Sequence, residues 1–372
     1  MGLAFTEWDF KETFMNCRIV FFIAFSLLFS VCGLAAEQNQ AIWHSKPVEH
    51  WTKVLESALE KPKGKAPSVR EQWYAAYSLG KYAQEAESAV PVLLERLQLD
   101  AGEDDDVRAC ILLTLALIGD REAVPAILNE VDSEYPIMRR TAVLALRKFP
   151  KELAEDLETV EKLEKILKSH AETEQALATN CAAALWLVGK REAVLAWIGQ
   201  TLVLDKEFNY ARNTEIYQTL AAIHLILGDS GPETFGEDSG ALAEKLTELV
   251  QKTPDADSAL SACEILAELG PAALPAVQKV ENIATKPRLL SVLAAIDSEN
   301  SETQTLVLAT VEDSAASLPC RIAAIRGTLH FPQTQRAAAA DVLVKILNDP
   351  DTDPVIANEA RLILKKLGAV NK

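Results

Sequence analysis

Residues 68–97 read SVREQWYAAYSLGKYAQEAESAVPVLLERL, and residues 106–131 read DVRACILLTLALIGDREAVPAILNEV. The two stretches run through the same events in the same order. Val69-Arg70 and Val107-Arg108 open them. Ala76 with Leu79-Gly80, and Thr114 with Ile118-Gly119, close a first segment. Ala89-Val90-Pro91 and Ala123-Val124-Pro125 open a second. In that second segment Val90, Leu93, Leu94 and Leu97 fall at i, i+3, i+4 and i+7, as do Val124, Ile127, Leu128 and Val131. That spacing puts one apolar stripe on one face of a helix. A glycine suits the left-handed residue that ends a helix, and a proline suits the first turn of the next, where its missing N–H costs nothing. Each unit therefore reads as helix, turn, helix.

The pattern continues with decay. Ile137-Met138-Arg139 leads to Ala142, Leu146 and Phe149-Pro150, then to Leu157, Val160, Leu163 and Leu167. Asn180-Cys181 leads to Val188-Gly189 and Ile198. Ile216 leads to Leu227-Gly228, then Leu242 to Leu249. Leu260 leads to Leu269-Gly270 and Leu274-Pro275. Leu289–Ile296 with Thr305–Val311 makes a degenerate unit, and Cys320-Arg321 leads to Leu329 and then Val342–Leu347. A last helix through Ile356, Ile363 and Leu367 closes at Gly368. Glycines 80, 119, 189, 228, 270 and 368 are 39, 70, 39, 42 and 98 residues apart. Read as one, two, one, one and three units, these spacings give a period of about 33–42 residues, the range of helical-hairpin solenoids.

The V-R…A…L-G…A-V-P…L pattern resembles HEAT repeats, especially the short bacterial class first described in phycobilisome lyases. The resemblance covers roughly residues 68–368. It implies an all-α, right-handed α-solenoid of HEAT-like hairpins, about eight units and a terminal helix, whose surface binds proteins or peptides. The expected organisation is an address in residues 1–36, a lead-in with a capping helix in 37–67, and the solenoid in 68–372. Trp43 and Trp51 in the lead-in are read as capping residues.

Ile19 to Ala36 is an almost unbroken apolar run, preceded by Arg18 and followed by polar residues, the layout of a secretory signal peptide. Met15 offers an alternative start. At 18 residues the run is also just long enough for a membrane anchor, and Cys32 is a weak candidate for lipidation. Each reading places the body outside the cytoplasm, periplasmic or secreted, and a membrane enters only through this segment if it stays uncleaved. No other segment reads as apolar enough to span.

Composition agrees with a folded body: 49% of residues are apolar and 24% charged. The net charge is −17. Residues 1–36 contribute +2 and −3, leaving −16 on the remainder. Such a field repels phosphate backbones, so nucleic acid is not an expected partner.

None of His44, His50, His170, His224 and His330 is followed by Glu. The paired His-Glu motifs of deoxyhypusine hydroxylase, a HEAT-like metalloenzyme, therefore do not carry over. Nor is there an H-E-x-x-H zinc motif or a C-x-x-C pair. Cys110, Cys181, Cys263 and Cys320 fall in alternate units and are expected to be free, buried thiols acting as small apolar residues, since repeats touch only their neighbours. Asp349–Asp353 starts like a calcium loop, but Pro354 and Ala360 stand where such a loop needs Gly and Glu. It reads as an acidic turn, and Asp104–Asp106 as carboxylates at a helix N-terminus. No catalytic residue, metal or cofactor is expected. Asp229–Gly240 is the most loop-like stretch. Its Asp229, Glu233, Phe235, Glu237 and Asp238 are the candidate partner-binding residues. The leading expectation is a non-catalytic interaction or scaffolding module, and the alternative a HEAT-like lyase or hydroxylase.

Overall fold

A computed structural model describes residues 46–59, 67–98, 105–169, 172–203, 210–253 and 255–368. The signal peptide, Met15, Cys32, Trp43 and Asp104 lie outside the described residues. Among those described the secondary structure is helical throughout, with no strand. The chain divides into two compact units, residues 1–195 and 196–372.

In the first unit α1 (Val48–Leu59) lies against α2 (Val69–Tyr82) and α3 (Val90–Gln98), which form the first hairpin. Two further hairpins follow: α4 (Asp105–Ile118) with α5 (Val124–Asn129), and α6 (Pro136–Leu146) with α7 (Pro150–Glu155) and α8 (Leu157–Leu167). Then comes α9 (Glu172–Leu187), and α10 (Arg191–Thr201) contains the residue at which the first unit ends. The first helices of successive hairpins pack side by side: α2 on α4, α4 on α6, α6 on α9. In the second unit the order is α11 (Tyr210–Ser230), α12 (Ser239–Lys252), α13 (Ala256–Leu269), α14 (Leu274–Gln278), α15 (Pro287–Ile296), α16 (Ser301–Glu312), α17 (Leu318–Gly327), α18 (Arg336–Asn348) and α19 (Pro354–Lys366). There α11, α13, α15, α17 and α19 make the continuous first-helix layer, while α12 packs on α14 and α16 on α18. Each unit is thus a stack of solenoid hairpins.

The sequence stripes are the packing surfaces. Val90, Leu93 and Leu97 are buried, as are Val124, Ile127 and Val131. Leu157 and Leu260, read from sequence as stripe positions, are exposed instead. On α13 the buried set is Ser258, Ala259, Ala262, Ile265, Leu266 and Leu269. Alanines let neighbouring first helices approach closely, so the buried face runs through small residues that a search for large apolar ones passes over. Closest of all is Gly327 on α17, where an added Cβ would lie 2.8 Å from the Ala294 Cβ on α15.

Three motif arginines secure turns, whereas Arg70 lies over Tyr74 on its own helix. Arg108 donates to Glu130 at 2.8 Å, Arg139 to the carbonyls of Ser133 and Glu134, and Arg321 to the carbonyl of Val311. The acidic turns cap helices. Asp353 accepts from the Val355 N–H at 2.7 Å at the start of α19, and Asp349 accepts from the Asp351 N–H. The calcium-like string is a turn and a cap. The four thiols sit on α4, α9, α13 and α17, alternate first helices, and none of them forms a disulfide; Cys181 and Cys320 are buried as expected, but Cys110 and Cys263 are only half-buried. Burial pushes Cys110 up to about 12 and Cys263 to about 11.

By length and composition Ala256–Gln278 could cross a membrane, which the sequence reading did not anticipate. The segment is the α13–α14 hairpin, broken at Gly270 (φ 57°) and packed into the second unit.

Gly119, Gly189, Gly270 and Gly368 have the expected positive φ. Gly80 and Gly228 do not; both helices run on, to Tyr82 and Ser230. After α2 the positive-φ position falls on Ala83 (φ 49°, ψ −125°), nearly the conformation of Gly270 (φ 57°, ψ −129°). A Cβ is strained there. Replacing Ala83→Gly should therefore raise stability by about 1 kcal/mol, read as a shift in the urea midpoint; an unchanged or lower midpoint would contradict the strain. Gly327→Ala should cost about 1–3 kcal/mol through overpacking, although alanine is the better helix former. Adding Ala294→Gly should recover part of that loss.

Candidate binding surface

The segment between α11 and α12 is more ordered than its composition suggests. Gly231 turns the chain (φ 78°), and Pro232–Asp238 forms a short 3-10 stretch interrupted at Gly236 (φ 51°). Phe235 faces inward and is only 2% exposed. The sequence reading placed it among partner-binding residues; here the ring is a plug between this stretch and the second-unit core, because an apolar ring gains more from burial than from water. Asp229, Glu233, Glu237 and Asp238 remain exposed. Asp229 belongs to the end of α11 rather than to a loop. From Asp229 to Glu244 the chain carries five carboxylates and no Lys or Arg.

The acidic character continues along α12. Ala241, Glu244, Glu248 and Gln251 share its exposed face, at helical spacing. That face borders an open groove of about 550 Å³ whose far wall is the end of α14 and the turn Lys279–Lys286. Lys279 Nζ lies 2.6 Å from Glu244 Oε1 across the groove, and this contact holds the Glu244 carboxyl below the usual carboxylate range. Lys252 pairs with Glu248 one turn away. Glu281 and Lys286 complete the charged rim.

Thr247 forms part of the lining, is 4% exposed, and its Oγ1 has no hydrogen-bond partner. A threonine inside a helix ordinarily bonds back to the i−4 carbonyl, as Thr219 and Thr310 do. A buried hydroxyl without a partner costs about 1–3 kcal/mol. On the far side Asn282 adopts φ 53° and ψ 43°, and its carbonyl accepts from both the N–H and the hydroxyl of Thr285 at 2.8 Å. The turn is thereby held in shape.

The sequence reading missed this groove because its walls are some thirty residues apart. The one local signal was the stretch Lys279–Lys286, which carries no apolar stripe at helical spacing.

One side-chain group has the order of a hydrolytic triad. His224 Nε2 is 3.1 Å from Ser261 Oγ, and Glu268 lies 3.7 Å from Nδ1. Glu264 stands 3.8 Å from Nε2. The Glu268 contact is too long for a hydrogen bond. Ser261 lies within α13, where backbone N–H groups are taken up by the helix and cannot form an oxyanion hole. The group ties α11 to α13. Among the described residues no three His, Cys, Asp or Glu side chains converge as metal ligands.

Residues 90–185 match the family of HEAT repeats. Three solved structures are similar in fold. The complex of CpcE and CpcF of phycocyanin lyase from Nostoc sp. PCC7120 shares 20% identity, with 70% of this chain and 92% of that one covered and a TM-score of 0.39. Kap121p shares 12%, with 93% and 40% covered and a TM-score of 0.45. Human deoxyhypusine hydroxylase, in complex with glycerol, shares 15%, with 86% and 97% covered and a TM-score of 0.32. No curated protein matches the chain.

If Phe235 anchors the acidic segment, Phe235→Ala should destabilise the second unit by about 3–5 kcal/mol. Denaturant unfolding measures this, and a loss below about 1 kcal/mol would mean that the ring is not a core residue.

Proposed function

From a chain that carries HEAT repeats, we propose a non-catalytic protein-interaction or scaffolding module working outside the cytoplasm. The observation that carries the reading is the run of exposed carboxylates from Asp229 to Glu244, continuing through Glu248 along the open face of α12. Stacked hairpins turn such faces into an extended surface, and repeat arrays use that surface for proteins or peptides. In this reading Asp229, Glu233, Glu237 and Asp238 meet the partner, and Phe235 holds their segment in place. The apolar run Ile19–Ala36 supports export.

The enzymatic alternative, a HEAT-like lyase or hydroxylase, differs in what it needs: a ligand set or an activated nucleophile. The Ser261–His224–Glu268 group lacks the geometry for the second, so it favours the interaction reading.

Cross-linking in intact cells followed by mass spectrometry should trap a reproducible protein partner on the second unit. Trapping none, or finding stoichiometric iron or zinc in the purified protein, would replace this reading with the alternative.

A further inference from the structure

We propose that the chain just before Lys46 closes over α2 as a strap, with the Trp43 indole laid across a row of aromatic rings on that helix. Arg70, Trp73, Tyr74, Tyr77 and Lys81 follow one another at helical spacing, on the flank of α2 turned away from its buried Ala75 and Leu79. The three rings are half-buried. Their faces are engaged with one another and with the two cations. Trp73 and Tyr77 stack with centroids 5.2 Å apart and planes 8° from parallel. Trp73 meets Tyr74 edge to face at 5.4 Å. The Lys81 ammonium lies 5.1 Å over the Tyr77 ring and the Arg70 guanidinium 5.4 Å over the Tyr74 ring.

A row built this way turns ring edges outward. An aromatic edge carries partial positive charge and an aromatic face partial negative charge, so edges take the face of another ring. Cations at both ends of the row favour that same face and repel a cationic group. The surface is therefore suited to one flat aromatic side chain.

The chain delivers such a side chain to this place. The Tyr82 hydroxyl donates to the Lys46 carbonyl at 2.7 Å, which fixes the entering chain beside the C-terminal end of α2. The residues just upstream are Ala41-Ile42-Trp43-His44-Ser45. From Lys46 back to Trp43, extended chain reaches about 10 Å. From Tyr82 back to Tyr77, the helix rises about 7.5 Å. Trp43 thus comes level with the Trp73–Tyr77 stack without any change in α2. A ring held on so short a tether is present at about millimolar effective concentration, which favours it over an aromatic group arriving on a separate molecule. Trp43 lies beyond Ala36, so cleavage of the apolar run would leave the strap in place.

The test is photo-crosslinking of the full chain with p-benzoylphenylalanine in place of Trp43, read by peptide mass spectrometry. The cross-link should map to α2 of the same chain. In a Tyr77→Ala background with unchanged circular dichroism its yield should fall severalfold. Hydroxyl-radical footprinting gives a second measurement that leaves α2 intact. There Trp43→Ala should raise the labelling of Tyr74 and Tyr77 severalfold, and Trp43→Phe, which keeps a flat ring, should restore most of the protection. Cross-links that join two copies or map outside α2 would overturn the proposal. Labelling of Tyr74 and Tyr77 unchanged by Trp43→Ala would do the same. A cross-link yield unaffected by Tyr77→Ala would mean mere nearness of a tethered probe, and the strap would be abandoned.

Discussion

No single hairpin in this chain can bury its own apolar face, and everything else depends on that constraint. A pair of helices offers two stripes, of which one closes the pair and the other needs a neighbour. The last hairpins illustrate the solution. Leu290 and Ala294 of α15, Val307 and Val311 of α16, Ala324 and Ile325 of α17, Leu343 and Ile346 of α18, and Ile356 and Ile363 of α19 form one buried cluster. The core is therefore a band shared between repeats rather than a centre belonging to any of them. Small residues set the spacing of that band: Gly80 meets Thr114 and Leu117 of the next hairpin, and Gly327 meets Ala294.

Polar residues then secure what burial brings together. Thr114 Oγ1 donates to the Ala76 carbonyl at 2.8 Å across the first two hairpins. Ion pairs repeat at the boundaries between hairpins: Asp132 with Lys162, Glu164 with Lys190, Glu244 with Lys279, Glu312 with Lys345. Most of these groups are exposed, and exposed pairs add little stability. Their consequence is electrostatic. Lysines on this surface lie beside carboxylates of the preceding repeat, so part of the positive charge is neutralised locally and the unpaired remainder of the surface stays acidic.

The candidate surface follows from the same logic. Where α12 packs on α14, the short second helix ends at Gln278 and the chain turns through Lys279–Lys286 instead of continuing the layer. The interruption leaves a groove, and the acidic residues that solubilise α12 become its rim. The groove thus arises from a shortened repeat element, without any departure from the packing rules that build the rest.

The sequence by itself determined the helical hairpins, their period and the stripes that face the core, because amphipathic spacing and turn residues are local signals. It also determined the acidic balance and the alternate placement of the cysteines. Only the tertiary structure decided where each stripe lies when it runs through alanine, as on α13, and that the left-handed turn after α2 falls on Ala83 rather than on a glycine. It turned Phe235 inward, away from the acidic segment that seemed in sequence to display it. It also brought Thr247 and Glu248 opposite Asn282 and Lys286. Burial and juxtaposition depend on what the neighbouring repeat offers, and that information is distributed over residues some thirty positions apart.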